Sequence, residues 1–119
     1  MTQDTNPRCN LIVIRARDID VAGIFYNALG LQFVRHSHGK GPIHLAADMA
    51  DQVFEIYPLA DGDPPTTSAR IGFAVADVDA TYAALLAAGG QSISAPKDSP
   101  WGRRAVIADP EGHRVEITG

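Results

Sequence analysis

The chain has 119 residues, of which 45% are hydrophobic and 20% charged, and its formal net charge is −4. These values are typical of one compact globular domain, and no run of Lys and Arg exceeds the pair Arg103-Arg104, which argues against nucleic acid or an anionic membrane as a partner. Cys9 is the only cysteine, so an internal disulfide and a multi-cysteine metal site are excluded.

Neither a membrane span nor a secretory signal is predicted. The longest apolar stretches are shorter than the ~20 residues that a bilayer-spanning helix requires. Residues 1–10 are polar and contain no hydrophobic signal core. We therefore expect a cytoplasmic protein.

The first half of the chain predicts the element order βαβββ. Residues 10–16 form a β-rich run. Asp18 is typical of a helix N-cap, and Gly30 is typical of a helix end. The helix between them would bury one apolar stripe, formed by Val21, Ile24, Phe25 and Ala28. Three strands are predicted after it, at about 31–37, 42–48 and 52–58.

The second half predicts the same order again. Residues 60–68 are polar and rich in proline at their centre, so they are interpreted as a linker. A strand at 70–76 then leads to a helix capped by Asp77 and closed by Gly89. The predicted inward residues of this helix are Val78, Tyr82 and Leu85. Three strands are predicted to complete the half, near 91–95, 103–108 and 113–118.

The two halves also share sequence at an offset of 59 residues. Residues 17–34 and 76–93 have five identities in eighteen positions, among them Asp18 with Asp77 and Gly30 with Gly89. Neither half is large enough to fold alone, so each should bury its apolar face against the other. We predict a single α+β domain over residues 1–119, with module 1 at about 9–59 and module 2 at about 69–118.

Strand periodicity predicts which side chains lie on the face away from the helices. Alternate residues of a strand point to opposite faces, and Ile12 and Ile14 are assigned to the helix side. The opposite face then collects these residues: Leu11, Val13, Glu55, Tyr57, Arg70, Arg104, Val106 and Glu116. Glu55 and Glu116 are equivalent if module 2 contains a two-residue insertion. Two equivalent carboxylates on one face are unusual for ordinary solvated charges.

Three motifs resemble the vicinal oxygen chelate superfamily, which includes glyoxalase I, extradiol dioxygenases, fosfomycin-resistance transferases and bleomycin-binding proteins. They are DID at 18–20 with FY at 25–26 and LG at 29–30, IGFAV at 71–75 before DVD at 77–79, and ADPEGH at 108–113 before Glu116. The resemblance covers roughly residues 9–118. It implies two βαβββ modules that form a cup-shaped, mostly antiparallel curved sheet with the helices outside, often completed by dimerisation. We therefore expect a homodimer.

The resemblance implies where a metal would bind: in metal-dependent relatives the metal ligands lie on the first and last strands of each module. These positions are Leu11, Glu55, Arg70 and Glu116. Leu11 has no lone pair and Arg70 is a permanent cation, so a divalent metal is disfavoured here and no cofactor is expected. We predict that the Arg70 guanidinium bridges Glu55 and Glu116 in place of the ion. The alternative is that Arg70 lies at the rim and points to water.

The histidines offer a different metal site. His36, His38 and His44 lie close together in sequence, and they could ligate a transition metal or bind an anion. The alternative is that they are ordinary surface histidines beside a glycine-rich turn. His113 is not expected to assist Glu116, because three residues along a strand place the two on opposite faces.

A small organic molecule is the expected partner. Trp101 beside two arginines could stack on a planar ligand while an arginine pairs with its acid group; alternatively it fills a dimer seam or a loop core. The candidate ligand-binding residues are Leu11, Val13, His44, Tyr57, Trp101, Arg104 and Val106.

Two function classes remain. One is a small-molecule binder similar to the bleomycin-binding proteins. The other is a metal-independent lyase or isomerase of glyoxalase type, in which Glu55 or Glu116 removes a proton and Arg70 or Arg104 stabilises the enolate. A dioxygenase requires redox iron and is least favoured by these residues.

Overall fold

The computed structural model describes residues 5–119 and has the predicted α+β architecture. Module 1 contains β1 (Leu11–Ala16), α1 (Ile19–Leu29), β2 (Phe33–His36), β3 (His44–Met49) and β4 (Gln52–Pro58). Module 2 contains β5 (Arg70–Ala74), α2 (Val78–Ala87), β6 (Gln91–Ser99), β7 (Gly102–Ala108) and β8 (Arg114–Thr118). Each module therefore has the order βαβββ, and the predicted fold class is confirmed.

Each module forms one open four-stranded sheet. The strand order is β1-β4-β3-β2 in the N-terminal sheet and β5-β8-β7-β6 in the C-terminal sheet. β1 pairs in parallel with β4, and β5 pairs in parallel with β8. The remaining pairs are antiparallel. Equal topology in both sheets makes residues at equal register positions structurally equivalent.

Three of the four helix ends are formed by the predicted residues, whereas α2 has Ala88 as its C-cap, with Gly89 following at φ 101°. The Asp18 carboxylate accepts hydrogen bonds from the backbone N–H groups of Asp20 and Val21 at 3.0 and 3.1 Å. The Asp77 carboxylate accepts one from the backbone of Ala80 at 3.0 Å. These bonds satisfy amide groups that have no partner within the first turn of a helix. Gly30 has φ 121°, a backbone conformation that favours glycine, and α1 ends at this residue.

The predicted buried stripe of α1 is wrong by about one residue around the helix. Val21 and Ile24 are 44% and 61% exposed, and the buried residues are Ala22, Gly23, Phe25 and Tyr26. A Cβ on Gly23 would lie 2.8 Å from Leu45 Cδ1, so the helix approaches the sheet closely along this side. An apolar-only pattern excluded Tyr26, whose buried hydroxyl has a hydrogen-bond partner.

The two modules share one hydrophobic core. The Tyr26 ring lies 4.9 Å from Phe54 of β4 and 6.4 Å from Phe73 of β5, and the two phenylalanine rings are 5.9 Å apart. Helix α1 also packs against α2. Of the three predicted inward residues of α2, Val78 and Leu85 are buried and Tyr82 is partly buried against the core. The helix sides of both sheets therefore meet in a common core, which leaves their other faces uncovered by it.

Several strand bounds differ from the prediction. The largest difference is β6, which extends to Ser99 instead of ending near residue 95, with irregular pairing between Ser92 and Lys97. Pro96 lies in this stretch and cannot donate a ladder hydrogen bond, which is tolerated because β6 is an edge strand. Strands β2 and β5 are shorter than predicted.

Among residues 5–119, neither helix is long and apolar enough to cross a membrane.

Candidate ligand-binding site

The face of each sheet that points away from the helices is called here its open face. On the N-terminal sheet it includes Leu11, Val13, Val34, His36, His44, Asp48, Glu55 and Tyr57. On the C-terminal sheet it includes Arg70, Gly72, Arg104, Val106, Arg114 and Glu116. Leu11 and Val13 are 51% and 39% exposed, whereas Ile14 is buried, as the alternation along β1 predicts.

The two glutamates occupy equivalent places in the two sheets. Glu55 pairs across the parallel ladder with Val13, and Glu116 pairs in the same way with Gly72. Val13 and Gly72 are 59 residues apart, which is the offset of the sequence repeat. Glu55 and Glu116 are therefore related by the duplication, on strands in the interior of their sheets.

Arg104 is the partner of Glu116. Its Nε–H donates to Glu116 Oε1 across the β7–β8 ladder, and the two side chains are about one quarter exposed. Hydrogen bonds between ionised groups are stronger than neutral ones, so this pair fixes the Glu116 carboxylate. Parity along β7 predicts that Arg104 shares the face of Glu116.

Arg70 begins β5 and is exposed. Within residues 5–119 it forms no ion pair with Glu55 or Glu116, so one chain does not contain the predicted bridge. Arg114 is its neighbour across the ladder and is also exposed. Like charges directly opposite on two strands repel each other. The C-terminal open face therefore carries two adjacent guanidinium groups without an acidic partner in the described part of the chain.

Glu55 contacts a histidine. His44 Nε2 lies 3.4 Å from Glu55 Oε2, and the His44 side chain is only 2% exposed. The His44 ring stacks on Tyr57 with centroids 4.1 Å apart and planes 7° apart. The guanidinium of Arg15 lies 5.7 Å from the centre of the Tyr57 ring. Planar groups thus line the open face beside the carboxylate.

The three predicted histidines lie together. The ring centroids of His36 and His38 are 5.7 Å apart, and those of His38 and His44 are 5.4 Å apart. His36 faces His44 across the β2–β3 ladder at 5.9 Å. Throughout residues 5–119, no three His, Cys, Asp or Glu side chains converge in an arrangement that could hold a metal ion.

Two predicted ligand-binding residues differ strongly in exposure. Trp101 lies in the turn between β6 and β7 and is 83% exposed, so the alternative that it fills a loop core is wrong. Val106 pairs with Glu116 on the open face, but it is only 5% exposed and offers little surface to a ligand.

Sequence analysis missed a buried polar network around Asp109. Its Oδ2 accepts a hydrogen bond from the Tyr26 hydroxyl at 2.6 Å and lies 2.9 Å from His113 Nδ1. His113 Nε2 in turn lies 2.7 Å from the hydroxyl of Thr66. The network joins α1, the linker and the β7–β8 turn. The signal for it was the ADPEGH motif, which was used for the family resemblance and not to predict a buried network.

The network keeps Asp109 ionised. Burial raises the pKa of Asp109, but hydrogen bonds from His113 and Tyr26 outweigh it and hold that pKa below its usual range. Burial and the neighbouring Asp109 charge raise the pKa of Tyr26 far above that of a free tyrosine, so its hydroxyl stays protonated and donates. His113 is fully buried on the helix side, away from Glu116. The network is a connection between the modules.

The fold and its open faces define a class of protein: a duplicated βαβββ domain whose curved sheets form an open cup. Residues 8–117 match the family model described as the Glyoxalase/Bleomycin resistance protein/Dioxygenase superfamily. The chain belongs to this superfamily, which confirms the resemblance of its sequence motifs to the vicinal oxygen chelate proteins.

Solved structures with this fold include binding proteins and enzymes. An antibiotic binding protein, TnmS3 from Streptomyces sp. CB03234, is 26% identical, with a TM-score of 0.76 and 98% coverage of both chains. A glyoxalase-related enzyme from Fulvimarina pelagi is 23% identical, with a TM-score of 0.76, over 93% of this chain and 86% of the other. At 23% identity, the likeness to the Fulvimarina pelagi enzyme shows a shared fold and nothing about activity.

A curated relative matches a short segment. CFP32 of Mycobacterium tuberculosis, named as a candidate glyoxylase, is 58% identical over 44 residues, which are 36% of this chain. The match covers only 17% of the length of that relative.

Proposed function

We propose that this protein binds a small organic molecule in a cup completed by a second copy of the chain, without a divalent ion at the four usual superfamily positions. The observation that carries the proposal is the pair of open faces. The N-terminal open face carries carboxylates and exposed apolar side chains, the C-terminal open face carries arginines, and both lie on the sides of their sheets away from the shared core.

Charge complementarity favours a second copy over an unrelated partner. The N-terminal open face contains Glu55 and Asp48, whereas the C-terminal open face contains Arg70 and Arg114. A two-fold dimer that sets one face against the other creates two identical cups, and in each cup Arg70 of one chain meets Glu55 of the other. The predicted Arg70 bridge would then form between chains.

Exposed apolar groups support the same arrangement. On the N-terminal open face, Leu11 is 51% and Val34 is 60% exposed. Monomeric proteins rarely leave large contiguous apolar patches in water. A cup closed by the partner would shield these side chains and still leave room between the sheets for a ligand.

The ligand class follows from the lining. Tyr57 and the neighbouring histidines present flat rings, and Arg70 and Arg114 present cations. A planar ring with a carboxylate or phosphate group would stack on the first set and pair with the second. The likeness to TnmS3, named as an antibiotic binding protein, supports binding of an organic molecule.

A metal-independent lyase or isomerase is the second candidate. It is favoured by the state of Glu55 within one chain, where its side chain is 18% exposed and contacts His44 instead of a guanidinium. Such a carboxylate is accessible and could remove a proton next to a carbonyl, with a partner-chain arginine stabilising the enolate. Glu116 is less available as a base because Arg104 already engages it.

Two measurements test the binding proposal. Sedimentation equilibrium should give a dimer, and thermal unfolding in the presence of planar aromatic acids should show saturable stabilisation by at least one compound. Arg70→Gln should weaken both effects. Arg17→Gln is the matched control, since Arg17 pairs with Glu111 and lies outside the open faces. A monomer at all concentrations, or equal behaviour of the two variants, would contradict the composite cup.

The enzyme candidate has its own test. Glu55→Gln preserves size and should abolish turnover of an α-hydroxycarbonyl or thiohemiacetal substrate while leaving the dimer intact. Turnover that survives this change would remove Glu55 as the base. Stabilisation by ligands without any turnover would leave the binder as the function.

A further inference from the structure

A pocket of about 380 Å³ lies on the open face of the N-terminal sheet, over strands β2 and β3. Its volume falls within the roughly 300–1,000 Å³ that small-molecule sites occupy. Alternate residues of β2 and β3 point to the open side, and they supply most of its wall. The lining residues are Gln32, Phe33, Val34, His36, Ala46 and Asp48.

The small side chain of Ala46 leaves the space, as the duplicated half of the chain shows. Ala46 lies opposite Glu55 across the β3–β4 ladder, and Val106 lies opposite Glu116 across the β7–β8 ladder. The two residues are therefore equivalent. Val106 is only 5% exposed, so its larger side chain occupies the equivalent place in the C-terminal sheet.

Asp48 adds a carboxylate to this pocket. It lies opposite Val53, and its equivalent in module 2 is Ala108, which lies opposite Arg114. Within residues 5–119 the exposed Asp48 side chain forms no hydrogen bond or ion pair. Module 2 thus has valine and alanine where module 1 has the space and the charge. Space and charge occurring together in one half indicate a shared purpose.

The lining defines the chemistry of an occupant. A carboxylate only accepts hydrogen bonds, and a protonated amine both donates to it and carries the opposite charge. None of the lining residues is Lys or Arg, so Asp48 is the charge that an occupant meets at its polar end. Val34 is 60% exposed and offers apolar surface to the carbon skeleton.

We propose that this pocket binds the amine end of an organic ligand, with the protonated nitrogen on Asp48 and the adjoining carbon skeleton on Val34 and Ala46. The pocket lies on one sheet and needs no partner chain. That this amine belongs to the ligand of the cup rests on the proposed function. The cup ligand is then a zwitterion, whose acid group pairs with the arginines of the C-terminal open face.

Two probes of equal size test the pocket. Benzylammonium carries a charge and benzyl alcohol does not. In ¹H–¹⁵N NMR titrations of the parent protein, benzylammonium should shift the amide signals of Val34, Ala46 and Asp48 saturably. Benzyl alcohol should bind about fivefold more weakly, because it lacks the ion pair. Added NaCl should reduce this difference. Sedimentation equilibrium of the same samples reports dimerisation separately, so failure of the pocket is distinguishable from failure of the composite cup.

Variants locate the amine. Asp48→Asn should lower benzylammonium affinity about fivefold and leave benzyl alcohol affinity unchanged. Ala46→Val copies the residue of the duplicated half and should weaken binding of both probes. Asp61→Asn is the matched control, because it removes an exposed carboxylate in the linker, and its affinities should equal those of the parent protein. Circular dichroism establishes that each variant folds, and Asp48→Asn is an isosteric change at an exposed site.

Three results would overturn the proposal. One is no saturable binding of benzylammonium by the parent protein. Another is equal affinity for the two probes, which would show that Asp48 does not select a charged nitrogen. The third is an affinity lost in Asp61→Asn and retained in Asp48→Asn, which would move the amine to the cleft beside the linker.

Discussion

The Tyr26 hydroxyl donates a 2.6 Å hydrogen bond to Asp109 Oδ2 and thereby joins α1 of module 1 to the β7–β8 turn of module 2. The residues are 83 positions apart, and both are buried. Asp109 Oδ1 meanwhile accepts backbone N–H bonds from Gly112 and His113 at 2.8 and 2.9 Å. One carboxylate thus orders the turn and holds the two modules together.

Tyr26→Phe should destabilise the protein without disturbing the packing of the ring. The change removes one hydrogen bond to a buried charge, which is worth about 1.5–3 kcal/mol. Tyr82→Phe is the matched control, since the Tyr82 hydroxyl bonds to Ser92 at an exposed site and should be worth less than about 1 kcal/mol. Urea unfolding at neutral pH measures both. Equal losses in the two variants would show that the Asp109 contact carries no special weight.

The same network predicts acid sensitivity. The pKa of Asp109 is lowered in the folded protein by its hydrogen bonds from His113 and Tyr26, which outweigh burial. The folded state therefore binds fewer protons than the unfolded state, whose Asp pKa is about 3.9. The resulting stability is fully present above about pH 5 and is lost as the pH falls through the folded pKa.

Asp109→Asn checks that sign. The variant should be less stable than the parent at pH 7, and the difference should shrink as the pH is lowered toward 3. Unfolding free energies from urea titrations at several pH values give the comparison. A difference that stays constant with pH would mean that the carboxylate charge of Asp109 does not contribute.

Local signals explain why so much of the fold could be predicted. Asp18 and Asp77 cap their helices through bonds to residues two or three positions away, and alternation along β1 needs no distant contact. The register of Glu55 and Glu116 followed from the duplication. The orientation of α1 could not be predicted in this way, because the buried position of Tyr26 depends on a partner 83 residues away.

The candidate site was less accessible to sequence reasoning. Parity placed Arg104 on the face of Glu116, but it could not decide which arginine would reach the carboxylate. Arg104 on β7 and Arg70 on β5 are each two residues from the position opposite Glu116, so the register of the ladders does not distinguish them. The burial of His44 depends on Tyr57 and on its contact with the Pro42 carbonyl, neither of which a spacing pattern reveals.

Close packing at Gly90 provides a stability prediction for the shared core. A Cβ at this position would lie 2.7 Å from Ile107 Cγ2, 2.8 Å from the Leu85 carbonyl oxygen and 2.8 Å from Phe25 Cε2. A backbone oxygen cannot move aside as a side chain can. Gly90→Ala should therefore destabilise the protein by about 1–3 kcal/mol. Ala95→Ser is the control, an exposed change in neighbouring β6, and should alter the unfolding free energy by less than about 0.5 kcal/mol. Thermal unfolding of both variants and the parent protein measures the two effects.

Trp101 offers a spectroscopic test of the ligand-binding role predicted for it. It is the only tryptophan and it is 83% exposed, so intrinsic indole fluorescence reports this one turn. Dilution below the dimer dissociation constant should leave the emission typical of a hydrated indole. Emission that shifts to shorter wavelength on concentration places Trp101 in the dimer seam, whereas a shift or quenching only on ligand addition places it against the ligand.

Trp101→Ala separates these roles from stability. Because the side chain is exposed at a turn, its removal should change the unfolding free energy of the chain by less than about 0.5 kcal/mol. A role in the ligand site requires weaker ligand affinity at an unchanged dimer dissociation constant. A role in the seam requires weaker dimerisation instead, measured by sedimentation equilibrium. Parent-like values for both quantities would remove Trp101 from the site.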